Sequence, residues 1–410
     1  MTEPVISSNV ADANRKIFNL GSKYLMQTYS RLPVVFTKAK GQYLWDADGK
    51  KYLDFIAGYG CLNAGHSNKF VISALKRQIQ DIVQPSNVYY SVPQVELAEK
   101  LCKITGFGEK VFFANSGTEA VEAAVKLARK YSKEKFSDSR YKIISFNKSF
   151  HGRTMGALSA TAQEEKQKVY QPLLEGFDYA DINDIDSVMQ KLCPDTCSIL
   201  LEPIQGDGGV NVSSFDFMKK LRDICTKNRI LLMLDEVQTG FGRTGKMFAY
   251  QNYDIIPDVL ILAKSIGGGM PLGAIVSSDD ISSVFVPGSH GSTFGGNAAS
   301  CAAGIAVIDY ILNRKLPQRA FNLGRYFTGE LLKLKKKFEL VKDVRGMGLM
   351  TGVELEKPVA GEIVERALKD KLVINKVSLT VLRFLPSLVI TRQNIDTLLG
   401  WLEANLGDFR

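Results

Sequence analysis

Between about residues 110 and 290, short apolar runs rich in β-branched residues alternate with segments of helical periodicity. Residues 111–114, 141–145, 198–201, 230–234, 259–262 and 273–276 read as strands, with helices over 119–131 and 215–227 between them. Strands that are apolar throughout have no face to give to water, so each face of their sheet needs a cover. With helices as the connections, the pattern predicts an α/β fold built on a large, doubly wound, mostly parallel sheet.

The chain has 410 residues, more than the roughly 250–300 that one core usually holds, so a second, smaller α+β domain is expected. Residues 43–45 and 51–55 bracket Asp46-Ala-Asp-Gly49, a hairpin-like turn signal. Beyond Gly296, helical patterns lead to short strands near 349–353 and 381–384 and a last helix from about Gln393. The expected division is 1–57 as the N-terminal segment of the small domain, 58–298 as the large domain and 299–410 as the C-terminal part of the small domain.

The net charge is +9, but the basic residues are spread out, apart from Lys333, Lys335, Lys336 and Lys337 on a predicted amphipathic helix. That cluster reads as a solvated helix face, so nucleic acid is not an expected partner. The positive balance is compatible with anionic substrates. Six cysteines are scattered, and Cys193 and Cys197 have no second pair to complete a zinc site. With three histidines in all, no metal centre is expected, and the thiols should be reduced. The first residues lack a signal-peptide core, Glu3 and Asp12 argue against a transit peptide, and no apolar run reaches the ~18 residues of a membrane span. A soluble, cytoplasmic protein without a membrane partner is expected.

Four motifs carry chemistry. In Phe113-Ala-Asn-Ser-Gly-Thr-Glu-Ala120 a strand gives way to a helix, and orphan amides with the hydroxyls of Ser116 and Thr118 and the open backbone of Gly117 can cradle a phosphate. An ordinary helix cap is the competing reading. The apolar run at 231–234 ends in Asp235-Glu-Val-Gln238, where a carboxylate meets the ligand position of an open sheet and can hold a protonated pyridine nitrogen. A carboxylate satisfied by backbone donors explains it equally well. In Val259-Leu-Ile-Leu-Ala-Lys264, with Gly267-Gly-Gly269 behind, a lysine follows a buried strand, as Schiff-base chemistry requires. A lysine reaching out to solvent is the alternative. The fourth, Phe150-His-Gly-Arg153, sets a ring to stack on a pyridine beside a guanidinium able to grip a carboxylate. His151 is as readily structural as catalytic. Gly240-Phe-Gly-Arg-Thr-Gly-Lys246 has P-loop spacing, but Met247 stands where the magnesium-binding hydroxyl belongs and Pro257 interrupts the chain soon after.

In this order, and with Glu202-Pro-Ile-Gln-Gly206 and Asp235-Glu-Val-Gln-Thr-Gly-Phe-Gly-Arg-Thr-Gly245, these motifs resemble the class III, ornithine-type aminotransferases, pyridoxal-phosphate (PLP) enzymes of fold type I. The resemblance runs from about Tyr29 to the C-terminal helix and absorbs the P-loop lookalike. It implies PLP carried by Lys264, which also moves the substrate proton, with Asp235 at the pyridine nitrogen, Gln238 on the phenolic oxygen side and Phe150 on the ring. Gly117 and Thr118, with Ser116, would hold the phosphate. Thr293 would reach the neighbouring subunit's cofactor, which implies a homodimer with shared active sites.

Gly291-Ser-Thr-Phe-Gly-Gly-Asn297 and Val381-Leu-Arg-Phe-Leu-Pro386 look most like the acetylornithine aminotransferases of arginine biosynthesis. There Arg153 and Ser292 match substrate-binding positions, and Arg383 would bind the α-carboxylate of 2-oxoglutarate, the acceptor that becomes glutamate. Two departures stand out. Asp207 replaces the glutamate that in the family pairs with the arginine at Arg383, and Tyr59 stands where a smaller aliphatic residue is usual. Tyr59, like Tyr29, resembles the substrate side of enzymes acting on ornithine or putrescine, which with 4-aminobutyrate are the alternative donors. A non-catalytic PLP-fold binding protein and a PLP mutase of the same fold are the readings from other classes.

Overall fold

The structure is a computed structural model that describes residues 12–409. Its main sheet has seven strands: β1 (Lys110–Ala114), β2 (Lys142–Phe146), β3 (Phe177–Ala180), β4 (Thr196–Leu201), β5 (Leu231–Asp235), β6 (Val259–Leu262) and β7 (Gly273–Ser277). They are arranged β1-β7-β6-β5-β4-β2-β3. β6, β5, β4, β2 and β3 run parallel. β7 is antiparallel to both β6 and β1. The doubly wound, mostly parallel sheet is therefore as expected. The strand that the sequence did not reveal is β3, an edge strand whose Phe177, Asp178 and Tyr179 are only half-buried, so it lacks the apolar run that marks the others.

Period-two alternation sorts the strand residues between two cores. Leu232, Leu234, Leu260 and Leu262 pack with Phe217, Met218 and Leu221 of α2 (Phe215–Asn228) and with Val307 and Ile311 of α3 (Ala298–Asn313). Leu231, Met233, Val259 and Ile261 point the other way, onto Ala120, Val121, Ala124 and Leu127 of α1 (Gly117–Lys135). The caps follow the residue chemistry: Ser116, Ser214 and Asn297 each accept a backbone N–H from the first turn of α1, α2 and α3.

The expected hairpin forms from Tyr43–Asp46 and Lys51–Asp54, with the Asp46 carboxylate accepting the amides of Asp48 and Lys50 across the turn. Leu53 and Asp54 also pair in parallel with Leu372 and Val373, so the N-terminal hairpin and the C-terminal region share one four-stranded sheet. A second sheet contains Val341–Met347, Met350–Leu355, Val381–Phe384 and Asn375–Lys376. The last long helix is Arg392–Asn405.

Arg243 fastens these parts at their meeting point. Its buried guanidinium donates to the carbonyls of Leu349 and Pro386 and to the Asn63 side chain. With no carboxylate among those partners, burial pushes its pKa down to about 9. Among the described residues, no helix is long and apolar enough to cross a membrane.

Leu260 is fully buried between the strands and α2. Leu260→Ala should therefore cost about 2–5 kcal/mol, seen as a lower urea midpoint, and an unchanged midpoint would contradict this packing.

Candidate active site

The carboxyl ends of β1, β2, β4, β5 and β6 lie along one edge of the sheet, where ligands of open α/β sheets bind. Each strand delivers its own part there: β1 the Asn115–Thr118 turn into α1, β2 the Phe150–Arg153 loop, β4 Glu202, β5 Asp235 and β6 Lys264. All of these line a single cavity of about 450 Å³, together with Cys61, Asp207, Gln238 and Gly269.

Lys264 follows β6 in a left-handed backbone conformation with φ 48°. A non-glycine residue held there is strained, and its neighbours must enforce the shape. Burial lowers the amine pKa, against the opposing pull of Asp207, so the neutral amine is favoured at lower pH than in a free lysine. The glycines behind it divide their roles. Gly269 lines the cavity, whereas a side chain on Gly268 would meet Val307 of α3 at 2.5 Å, so that glycine serves packing.

Asp235 is buried and fixed from two sides. One carboxylate oxygen accepts the Val237 amide at 3.0 Å, and the other lies 2.8 Å from His151 Nδ1. The buried His151 Nε2 has no protein partner. Beneath them, Glu202 accepts the amides of Phe150 at 2.8 Å and Gly206 at 3.1 Å. Burial pushes the Glu202 pKa up to about 7, with Asp235 adding to that rise and His151 opposing it. Glu202 thus ties the Phe150 loop to the segment that carries Asp207.

At the start of α1 the hydroxyls and the amides have separate tasks. Ser116 Oγ accepts the Glu119 amide at 3.3 Å, and Thr118 Oγ1 pairs with Thr154 Oγ1 at 2.9 Å while accepting the amides of Arg153 and Thr154. Thr118 therefore locks the Phe150–Arg153 loop against the helix. A methyl on Gly152 (φ 142°) would stand 2.2 Å from Thr118 Oγ1, which is why glycine occupies that position. First-turn amides have no intrahelical acceptor, so those of Gly117 and Thr118 can serve an anion.

Arg383 is the hub on the opposite side. Its guanidinium, 2% exposed, donates to Asp207 at 2.8 Å, to Gln238 Oε1 at 3.3 Å and twice to Asn375 Oδ1, at 3.0 and 3.2 Å. Burial raises the Asp207 pKa, but the Arg383 ion pair outweighs it, with Lys264 and Lys166 adding to the fall, so the carboxyl ends below its ordinary value. The Tyr59 ring lies 5.6 Å from the Arg383 guanidinium carbon. Tyr59 sits in a left-handed turn, with φ of 47°, 62°, 58° and 84° at Ala57, Gly58, Tyr59 and Gly60. Asp54 anchors the entry to that turn by accepting the amides of Ile56 and Ala57.

Five residues expected at the site do not line this cavity: Arg383, which reaches it through Asp207 and Gln238, Tyr59 against Arg383, and Ser292, Thr293 and Tyr29. Ser292 is one step removed, its Oγ accepting from Asn115 Nδ2 at 3.1 Å. Thr293 is exposed, and its carbonyl accepts from Gln84. Tyr29 is 72% exposed, with Arg31 against its ring. Glu202, Asn375, Asn115 and Cys61 were not foreseen in these places. Glu202 stood inside a quoted motif, but Asn375 belongs to a two-residue strand that leaves no sequence signal.

A phosphate, an aromatic ring and an aldehyde find matching groups here: first-turn amides free of intrahelical acceptors, Phe150 and Asp235 lining one cavity, and a lysine amine of lowered pKa. The residues fit PLP. The comparisons agree, since residues 24–406 match the family model "Aminotransferase class-III". The chain belongs to the class III aminotransferases.

Members of this family depend on PLP. An acetylornithine aminotransferase from Caldanaerobacter subterraneus subsp. tengcongensis is 47% identical over 95% of this chain and 98% of its own length. Another from Aquifex aeolicus is 49% identical over 93% of this chain and all of its own. Among solved structures, an ornithine aminotransferase from Toxoplasma gondii superposes with a TM-score of 0.93 at 32% identity, covering 97% of this chain and 96% of that one. An acetylornithine aminotransferase from Elizabethkingia anophelis superposes with a TM-score of 0.85 at 35% identity, covering 95% and 98%.

Because the Lys264 pKa is lowered, its neutral amine prevails below the ordinary lysine value of ~10.4. Covalent capture of PLP by cofactor-free protein, trapped with borohydride across a pH series, should reach half its maximum rate below that value. A midpoint at the free-lysine value would contradict the burial.

Proposed function

We propose that this chain is a PLP-dependent ω-aminotransferase that moves the distal amino group of N2-acetylornithine to 2-oxoglutarate, as a cytoplasmic homodimer. The observation that carries this reading is one cavity lined by Lys264, whose pKa is lowered, together with Asp235, the exposed Arg153 and Asp207, the carboxylate that pairs with Arg383. The names of relatives 47–49% identical support the donor, and arginine biosynthesis follows from it.

Bound in this cavity, PLP supplies an electron sink that makes the C–H bond next to the reacting nitrogen acidic. The chain's own groups do the rest. Lys264 would carry the cofactor covalently and then, as a free amine, take and return the substrate proton at Nζ. Asp235, held by the Val237 amide and His151, would keep the pyridine nitrogen protonated. Phase by phase, the amides of Gly117 and Thr118 would hold the phosphate and Phe150 would cover the ring. Gln238 Oε1 accepts from Arg383, which would leave the side-chain N–H groups of Gln238 for the phenolic oxygen.

Substrate selection rests on two arginines. Arg153 would grip the α-carboxylate of the donor, with Ser292 supporting that side through Asn115. Asp207 would neutralise Arg383 while the donor reacts, and a carboxylate of 2-oxoglutarate would displace it in the second half-reaction. Ornithine is the second reading, because Tyr59, whose ring lies against Arg383, resembles the substrate side of the ornithine enzymes. Thr293 would complete the phosphate site of the other subunit, in keeping with its exposure and its place outside this chain's own cavity.

Lys264→Ala should abolish glutamate formation from N2-acetylornithine and 2-oxoglutarate, and sustained turnover would remove this mechanism. Asp207→Glu, which lengthens the partner of Arg383 by one methylene, should change the ratio of kcat/KM for glutamate to that for the amine donor. An unchanged ratio would show that the pair does not select between the half-reactions. A donor series of N2-acetylornithine, ornithine, putrescine and 4-aminobutyrate ranks the alternatives.

A further inference from the structure

Lys166 lies on a short helix, Glu164–Gln167, that packs over the active-site loop. Gln167 pins this helix by donating to the carbonyls of Leu158 and Thr161 at 3.0 and 2.8 Å and to Tyr179 Oη at 3.0 Å. The Lys166 ammonium is half-buried, 5.7 Å from the centre of the Phe150 ring. It donates to the Gln163 side-chain carbonyl, and Gln163 in turn donates to the Ser149 carbonyl at 2.8 Å. Its hydrogen-bond partner is therefore a neutral amide, and Lys166 takes part in none of the ion pairs of 4 Å or less formed among the described residues.

Asp207 lines the same cavity as Phe150, the ring that this cation approaches. Phe150 and Gly206, the residue before Asp207, are joined through the Glu202 carboxylate, so Lys166 and Asp207 stand over the same corner of the site. Burial lowers the Lys166 pKa, and among the opposing charges Asp207 counts first, ahead of Glu165 and Glu202, while Arg153 adds to the fall. Glu165 is exposed and screened by water.

The two half-reactions create a charge problem at this corner. When an acceptor carboxylate takes Arg383, Asp207 loses its ion-pair partner beside a second negative charge, and a carboxylate stripped of its cation in a partly buried place is costly. Lys264, the other cation near Asp207, would work as a neutral amine that takes and returns a proton under the function proposed above, on which this inference rests, so it offers Asp207 no lasting countercharge. We infer that Lys166 is the positioning residue that receives Asp207 when a dicarboxylate occupies Arg383, and so sets how readily the site opens to its acceptor.

The test uses the holoenzyme and glutarate, a dicarboxylate that cannot undergo amino transfer, with binding measured by calorimetry. Lys166→Gln should weaken glutarate about ten-fold, a size typical of coupled sites, and Lys166→Arg should restore most of the loss. In the Asp207→Asn background, where no charge has to be received, Lys166→Gln should have no further effect. In kinetics the loss should fall on KM for 2-oxoglutarate more than on the reaction with the amine donor. Equal weakening with and without the Asp207 charge would overturn the inference, because Lys166 would then contact the dicarboxylate itself. Unchanged glutarate binding in Lys166→Gln would overturn it too. In either case a wild-type enzyme that still reacts with N2-acetylornithine leaves the proposed function standing, whereas a wild type inert to the donor sinks both.

Discussion

The cost of enclosing a lysine amine at the end of an apolar strand shapes the rest of this molecule. A charged ammonium would not rest there, so burial shifts Lys264 toward the neutral form that nucleophilic chemistry needs. The sheet makes this position available: β6 is covered on both faces, and its last residue leads directly into the cavity. The positive φ at Lys264 adds strain, which neighbouring strands and α1 must over-determine. Close packing does this, since a methyl on Gly117 would meet Val237 at 3.1 Å and Ala263 at 3.6 Å.

The second constraint is the buried guanidinium of Arg383. Three side chains from separate parts of the chain satisfy it: Asp207 after β4, Gln238 after β5 and Asn375 from the short strand before residue 381. The cation therefore joins the sheet edge to the C-terminal region. Arg243 performs the purely structural version of this task, with carbonyls and one amide in place of a carboxylate. One buried arginine is closed off by neutral partners, while the other pairs with a carboxylate.

Much of this was legible from the residues. The large sheet showed itself because each central strand is an uninterrupted apolar run, and Asp235 and Lys264 were marked as charges at the ends of such runs. β3 escaped because an edge strand with half-buried residues lacks that pattern. The antiparallel setting of β7 could not be read, since burial on both faces looks the same in either direction. At the site, Phe150, Asp207, Asp235 and Gln238 line one cavity, with Arg383 bonded to two of them, yet the hydroxyl of Thr118 turned out to hold a loop in place. Asn375 and Lys166 were invisible because their importance comes from what lies across from them in space. The family resemblance supplied roles that spacing alone left open between binding and packing.

The central claim is that Lys264 carries a cofactor that an N-acylated diamino acid can reduce to its amine form. The most direct measurement is the visible absorbance of the purified, PLP-loaded protein before and after addition of N2-acetylornithine, with no acceptor present. The account predicts a visible band from lysine-bound cofactor that fades on adding the donor and returns when 2-oxoglutarate follows. A protein that shows no such band after incubation with PLP would contradict it.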